Sequence, residues 1–362
     1  MGKGQPGLAV SRGDCLRAFV YHREKVWDEG RLIPAFFEDS KTCGGGGLMA
    51  EGGMRMKRVV SLLPSATEIV CALGAADQLA GRSHECDFPP EIRALPVCTS
   101  AKVDANAGSG EIDRQVKALA QGAVSIYQID VARLKALQPD IILTQAQCEV
   151  CAVSLAEVEA AVSQWLGKRP QIVSLSPNRL SDIWENIGRV AEALELTEHG
   201  REILRALKNR VVNIIEKTCV MQPRPTVACV EWIEPLMGAG NWVPELVELA
   251  GGVSVLGAPG KHSDWTNWEA LRKLDPEIVV VMPCGFDLER TRSEMGALVR
   301  QPGWSKLRAV KNRRVVVTDG NQYFNRPGPR VVESLEILTE IIHPDRFNFG
   351  HRGKGWVRFE AE

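Results

Sequence analysis

The 362-residue chain is 44% hydrophobic and 25% charged with a formal net charge of −1, the composition of an ordinary globular protein of about two domains. That balance offers no field for nucleic acid or an anionic membrane, and no apolar run approaches the roughly 18 residues of a membrane span. The N-terminus lacks a basic-then-apolar leader, and ten cysteines with one CxxC pair fit a reducing compartment, so the expected location is cytoplasmic.

In chain order, residues 1–56 are Gly-rich and weakly periodic, an expected loosely ordered extension. Residues 58–62 read as a strand, and Pro64 opens a helix in which Ser65 and Glu68 stand at capping-box spacing. Strands follow at 79–82 and 95–98, the first leading into His84, Glu85 and Cys86, the second into Thr99. Helical patterns at 111–119 and 131–137 precede a strand at 140–144. Next come the loop with Cys148 and Cys151, a helix capped by Ser154, a strand at 171–175 and a helix at 181–194.

The longest amphipathic pattern starts at Thr197 and stops before Pro223 and Pro225, with Ile203, Leu207, Val211, Ile214 and Ile215 at helical spacing. About 20 helical residues would span roughly 30 Å. Beyond it the alternation of strand and helix resumes: strands at 226–232, 277–282 and 314–318, with helices between them and a last helix ending at His343. The fold class is therefore α/β: two lobes joined by a single long helix, with a ligand cleft between them. The corresponding boundaries are a lobe at 57–196, the helix at 197–222, a lobe at 223–343 and a tail at 344–362.

Open α/β sheets bind ligands beyond the carboxyl ends of their strands. His84, Cys86, Cys98, Trp232, Trp242, Cys284, Tyr323 and Arg326 follow or end strands, so they are candidate rim residues, with Trp265 on a neighbouring loop and Ser65 at the first helix. Trp242 and Trp265 sit on loop-like segments and suit a flat ligand, and the fork of Arg326 suits a carboxylate, amide or phosphate. Cys148 and Cys151 form half of a zinc or Fe–S site, and His84 and Cys86, two apart, would point the same way in an extended loop to complete it.

The runs RVVSLLPSATE at 58–68, CDFPP at 86–90, the segment 238–252 and YFNRPGPR at 323–330 resemble the cobalamin-binding branch of the helical-backbone metal receptors, over about residues 57–343. These are the substrate-binding proteins of ABC importers for cobalamin, ferric siderophores and haem. The resemblance implies two lobes, one connecting helix and a metal chelate as ligand, cobalamin above all, with an ABC importer or a corrinoid-dependent enzyme as partner. Cys98 stands where such receptors often offer an aromatic residue. No arrangement of nucleophile, base and orienting acid stands out, so binding is expected rather than turnover. Two other readings stay open: an intracellular thiol- or metal-dependent enzyme working through Cys148, Cys151 and Cys86, and a cytosolic adaptor.

Overall fold

A computed structural model describes residues 56–121, 125–145, 155–163, 165 and 169–360. The first strand, β1 (Val59–Ser61), is wholly buried and runs into α1 (Pro64–Ala72), which Pro64 opens because its missing N–H is needed by no helical acceptor. The chain then builds β2 (Leu79–Arg82), β3 (Thr99–Ala101), α2 (Ser109–Gln121), β4 (Tyr127–Ile129), α3 (Val131–Ala136), β5 (Ile141–Gln145), α4 (Leu155–Ser163), β6 (Gln171–Leu175) and α5 (Leu180–Ala193). Strands β2, β1, β5 and β6 pair in that order in one parallel sheet. Covered strands of parallel sheets read as continuous apolar runs, and β5, buried along its whole length, does so.

Helix α6 (Thr197–Thr218) has 22 residues, about 33 Å of rise. Its stripe of Leu207, Val211, Ile214 and Ile215 is buried against its neighbours, and Gly200 lets α5 come so near that an added Cβ would lie 2.5 Å from that of Ala191. The second half consists of β7 (Thr226–Trp232), β8 (Met237–Gly238), α7 (Val243–Leu249), β9 (Val253–Ser254), α8 (Trp268–Leu274), β10 (Ile278–Val281), α9 (Leu288–Glu294), α10 (Gly296–Val299), α11 (Arg308–Lys311), β11 (Val315–Thr318), α12 (Val331–Ile342) and β12 (Trp356–Arg358). A second sheet runs β12-β11-β10-β7-β8, with β9 also on β7. The two sheets are separate, and α6 stands between them in the chain, so the fold is two α/β lobes with one connecting helix.

Several sequence expectations move. The strand expected at 95–98 gives way to β3, which pairs antiparallel with β4 in a two-stranded ribbon outside the main sheet; Pro96 has no N–H to donate to a ladder. Ser65 does not cap α1: Leu63 holds that position without a side-chain bond, and Glu68 is used elsewhere. Thr197 likewise gives no cap to α6, which follows Leu196. The expected tail after Pro344 adds β12 antiparallel to β11, and Glu340 draws it in by accepting from Trp356 Nε1 at 2.6 Å. The extension before Met56, Cys148, Cys151 and Ser154 lie outside the described residues.

Candidate functional site in the interlobe cleft

Strand β2 delivers residues 83–87 to the rim of the first lobe. The His84 N–H donates to Thr99 Oγ1 at 3.0 Å, and its Nδ1 lies 2.8 Å from the same oxygen, whose hydroxyl reaches Ser83 Oγ at 3.2 Å. The Tyr127 hydroxyl donates to Glu85 Oε1 at 2.9 Å, and the Tyr127 ring sits 5.4 Å from that of His84. Burial pushes the Glu85 carboxyl above its usual range. Burial, with Arg82 nearby, holds the His84 imidazole below its ordinary value, so it is neutral near pH 7.

Cys86 does not share that rim. Residues 84 and 85 form a turn rather than an extended strand, which sends the Cys86 side chain inward, 1% exposed, to lie 3.0 Å from Thr67 Oγ1. Its thiol is pushed up to about 12 by burial. Cys98 is in the core as well, its sulfur against Gly81 and its thiol raised to about 11. Among the described residues no cluster of three His, Cys, Asp or Glu side chains is placed to hold a metal, and of the four ligands expected, Cys86 is turned inward from His84 while Cys148 and Cys151 lie outside the described residues.

On the second lobe, Trp232 at the end of β7 packs its ring 5.3 Å from that of Phe286 and donates from Nε1 to Glu234 O at 3.1 Å. Half-buried Cys284 is beside it, its N–H donating to Glu231 O at 3.2 Å, while Glu231 Oε2 accepts from Ser263 Oγ at 2.8 Å. Trp242 does not stand free on a loop: it directly precedes α7, the helix expected after it, and its side chain is packed in, 6% exposed. Trp265 is 55% exposed, with Lys117 Nζ 5.2 Å from its ring centre. Tyr323 is half-buried, its hydroxyl proton held more tightly by burial, and its ring faces the Arg330 guanidinium and His351.

Below these rims the lobes are joined by ion pairs. Arg326, expected to hold a ligand, is 3% exposed and donates from Nη1 to Asp87 Oδ1 at 2.6 Å and Glu68 Oε1 at 3.1 Å, and from Nη2 to Asn321. Arg330 forks onto Glu68 and lies 3.9 Å from the Phe88 ring centre. Burial would raise the Asp87 carboxyl, but the bond and charge of Arg326 outweigh it and hold it below its usual range. Ser65 is buried here, beneath Gly328, whose missing Cβ would stand 3.2 Å from Ser65 O. The structure thus groups His84, Glu85 and Tyr127 on the first lobe and Trp232 with Phe286 on the second, and buries Ser65, Cys86, Cys98, Trp242 and Arg326. Sequence reading missed Glu85, Tyr127 and the Glu68 floor; Arg326 and Arg330, four apart around two prolines, were the available signal.

Residues 59–322 match the family described as periplasmic binding protein. An uncharacterized ABC transporter substrate-binding lipoprotein of Bacillus subtilis, YvrC, is 24% identical over 302 residues, covering 80% of this chain and 81% of the relative. A vitamin B12-binding protein of Photorhabdus laumondii is 23% identical over 299 residues, covering 79% of this chain and 88% of the relative. A solved periplasmic heme-binding protein from Pseudomonas aeruginosa superposes with a TM-score of 0.62 at 20% identity, over 84% of this chain and 99% of that one. The cytoplasmic location expected from composition and from the N-terminus is overturned by these relatives, which are lipoprotein and periplasmic receptors. With two lobes, one connecting helix and a match over most of its length, the chain belongs to the periplasmic binding protein family and is a substrate-binding protein.

Proposed function

We propose that this protein is the substrate-binding component of an ABC importer and that its ligand is a corrinoid held between the two rims. Relatives support a tetrapyrrole-like cargo, since one is named for vitamin B12 and a structural neighbour for heme. The observation that carries the choice is how the charges are spent. Arg326 and Arg330 bind Glu68, Asp87 and Asn321, and Arg290 binds the carbonyls of Ala105 and Ala107. Guanidinium groups already engaged with protein oxygens are poor partners for the two carboxylates of haem, which would have to displace them at the cost of buried pairs. A corrinoid presents neutral amides, which need no cationic partner and leave those buried pairs intact. Trp232 gives its macrocycle an apolar face.

His84 completes this reading. In the tautomer that carries its proton on Nδ1, toward Thr99, Nε2 keeps a lone pair for cobalt, and burial, which lowers the basicity, keeps the imidazole unprotonated at neutral pH. The thiol-enzyme alternative loses support with Cys86, whose sulfur is buried and protonated. The test is the visible spectrum of aquocobalamin on the protein: coordination by His84 shifts the cobalt bands in the wild type and not in His84→Ala. Identical spectra for the two proteins remove His84 from the site, and failure to bind any corrinoid removes the ligand assignment.

A further inference from the structure

Helix α2 carries the sequence SGEIDRQVKALAQ, and only Ser109 and Asp113 of it are buried. It is inserted in the chain between β3 and β4, which pair as a two-stranded ribbon, an element of marginal stability alone. Gln115 Oε1 accepts from Asp104 N at 2.8 Å, and further contacts come from the opposite lobe. Arg290, on α9, donates from Nη1 to Ala105 O and from Nη2 to Ala107 O at 2.6 Å, while its guanidinium lies 3.8 Å from the Phe286 ring centre. Glu294 Oε2 accepts from Ser109 Oγ at 2.9 Å and from Ser109 N at 3.3 Å, which places a carboxylate on the positive end of α2. Nearer the other end, Lys117, paired with Asp113, sits over Trp265.

We propose that α2 is the gate of the cleft, latched to the second lobe by Arg290 and Glu294, and that ligand enters and leaves when this helix lifts rather than when whole lobes part. The two sets of interlobe contacts differ in kind. The floor joins Glu68 and Arg326, whose side chains are 2% and 3% exposed, and α12, which follows Arg330, packs on the stiff helix α6. In the latch Arg290 and Glu294 are half-exposed and Ala105 is exposed, with Ser109 alone buried, so its polar contacts lie nearer water than the floor and local opening is cheaper there. Phe286 lies under Arg290 and against Trp232, so a latched Arg290 also closes over the aromatic wall of the second rim.

This gate regulates the cleft assigned above and so rests on that cleft being the ligand site; its test is divided accordingly. Hydrogen exchange of the full-length, ligand-free protein should show residues 105–119 exchanging about ten-fold faster in the Arg290→Ala/Glu294→Gln variant, with residues 326–335 unchanged. Glu294→Gln alone, which keeps the side-chain shape, should give a smaller rise in the same segment. With cyanocobalamin, association and dissociation rates should both rise about ten-fold while Kd changes less than three-fold. Unchanged exchange at 105–119, or equal acceleration at the floor, overturns the gate. Should cyanocobalamin not bind, the exchange result still decides the gate, and the loss falls on the ligand assignment.

Discussion

Glu68 and Arg330 meet across the lobe boundary in a two-point fork: Arg330 Nε donates to Glu68 Oε2 at 2.8 Å and Nη2 to Oε1 at 2.6 Å, with Arg326 on the same Oε1. One carboxylate of the first lobe therefore serves two arginines of the second, out of water. Removing a single partner from such a group strands the others. Glu68→Gln should cost about 3 kcal/mol of stability, read as a lowered midpoint in urea unfolding; a midpoint within error of the wild type would show the fork to be incidental.

The same floor sets an acid limit. Asp87 has its folded pKa held below the unfolded value by Arg326. A depressed carboxyl contributes stability that is present above the unfolded value, near pH 4, and is lost as pH falls through the folded value. Urea midpoints measured down to pH 3 should fall more steeply for the wild type than for Asp87→Asn, which begins less stable at pH 7. Parallel curves would contradict the assignment.

Thiol chemistry separates core from rim. With Cys86 pushed up to about 12, its thiolate at pH 8 is about one part in ten thousand. Iodoacetamide should label Cys86 and Cys98 in the native protein at least about 100-fold more slowly than half-buried Cys284, followed by mass spectrometry of the peptides. Rapid native labelling of Cys86 would return that sulfur to the rim and revive thiol catalysis.

Backbone packing makes a sharper steric test. A Cβ on Gly320 would stand 2.2 Å from Pro283 O, joining the turn after β11 to the end of β10 directly beneath the second rim. Gly320→Ala should destabilise by about 2 kcal/mol or more, because backbone cannot yield as a side chain does. Thermal unfolding at wild-type temperature would show that the turn has room for a methyl group.

Periodicity made the architecture legible. The strands Leu79–Arg82, Gln171–Leu175 and Thr226–Trp232 fall where alternating and β-branched runs placed them, and the stripe along α6 marks the connecting helix. What failed was direction. Spacing alone could not show that a turn at His84 splits it from Cys86, or that Trp242, just ahead of the expected helix, packs inward. Arg326 read as a ligand fork because its partners, Glu68 and Asp87, lie about 240 to 260 residues away in the chain, and long-range pairing leaves no local pattern. Tyr127 was missed because β4 is three residues long, too short for a period to register.

The central claim, a corrinoid held between the His84 and Trp232 rims, is tested most directly by isothermal titration of the wild type, His84→Ala and Trp232→Ala with cyanocobalamin, cobinamide and hemin. The account predicts that the wild type binds the corrinoids at least ten-fold more tightly than hemin. Trp232→Ala should weaken every corrinoid about ten-fold, in keeping with the loss of one aromatic wall. Tighter binding of hemin, or corrinoid affinity untouched by both substitutions, would contradict it.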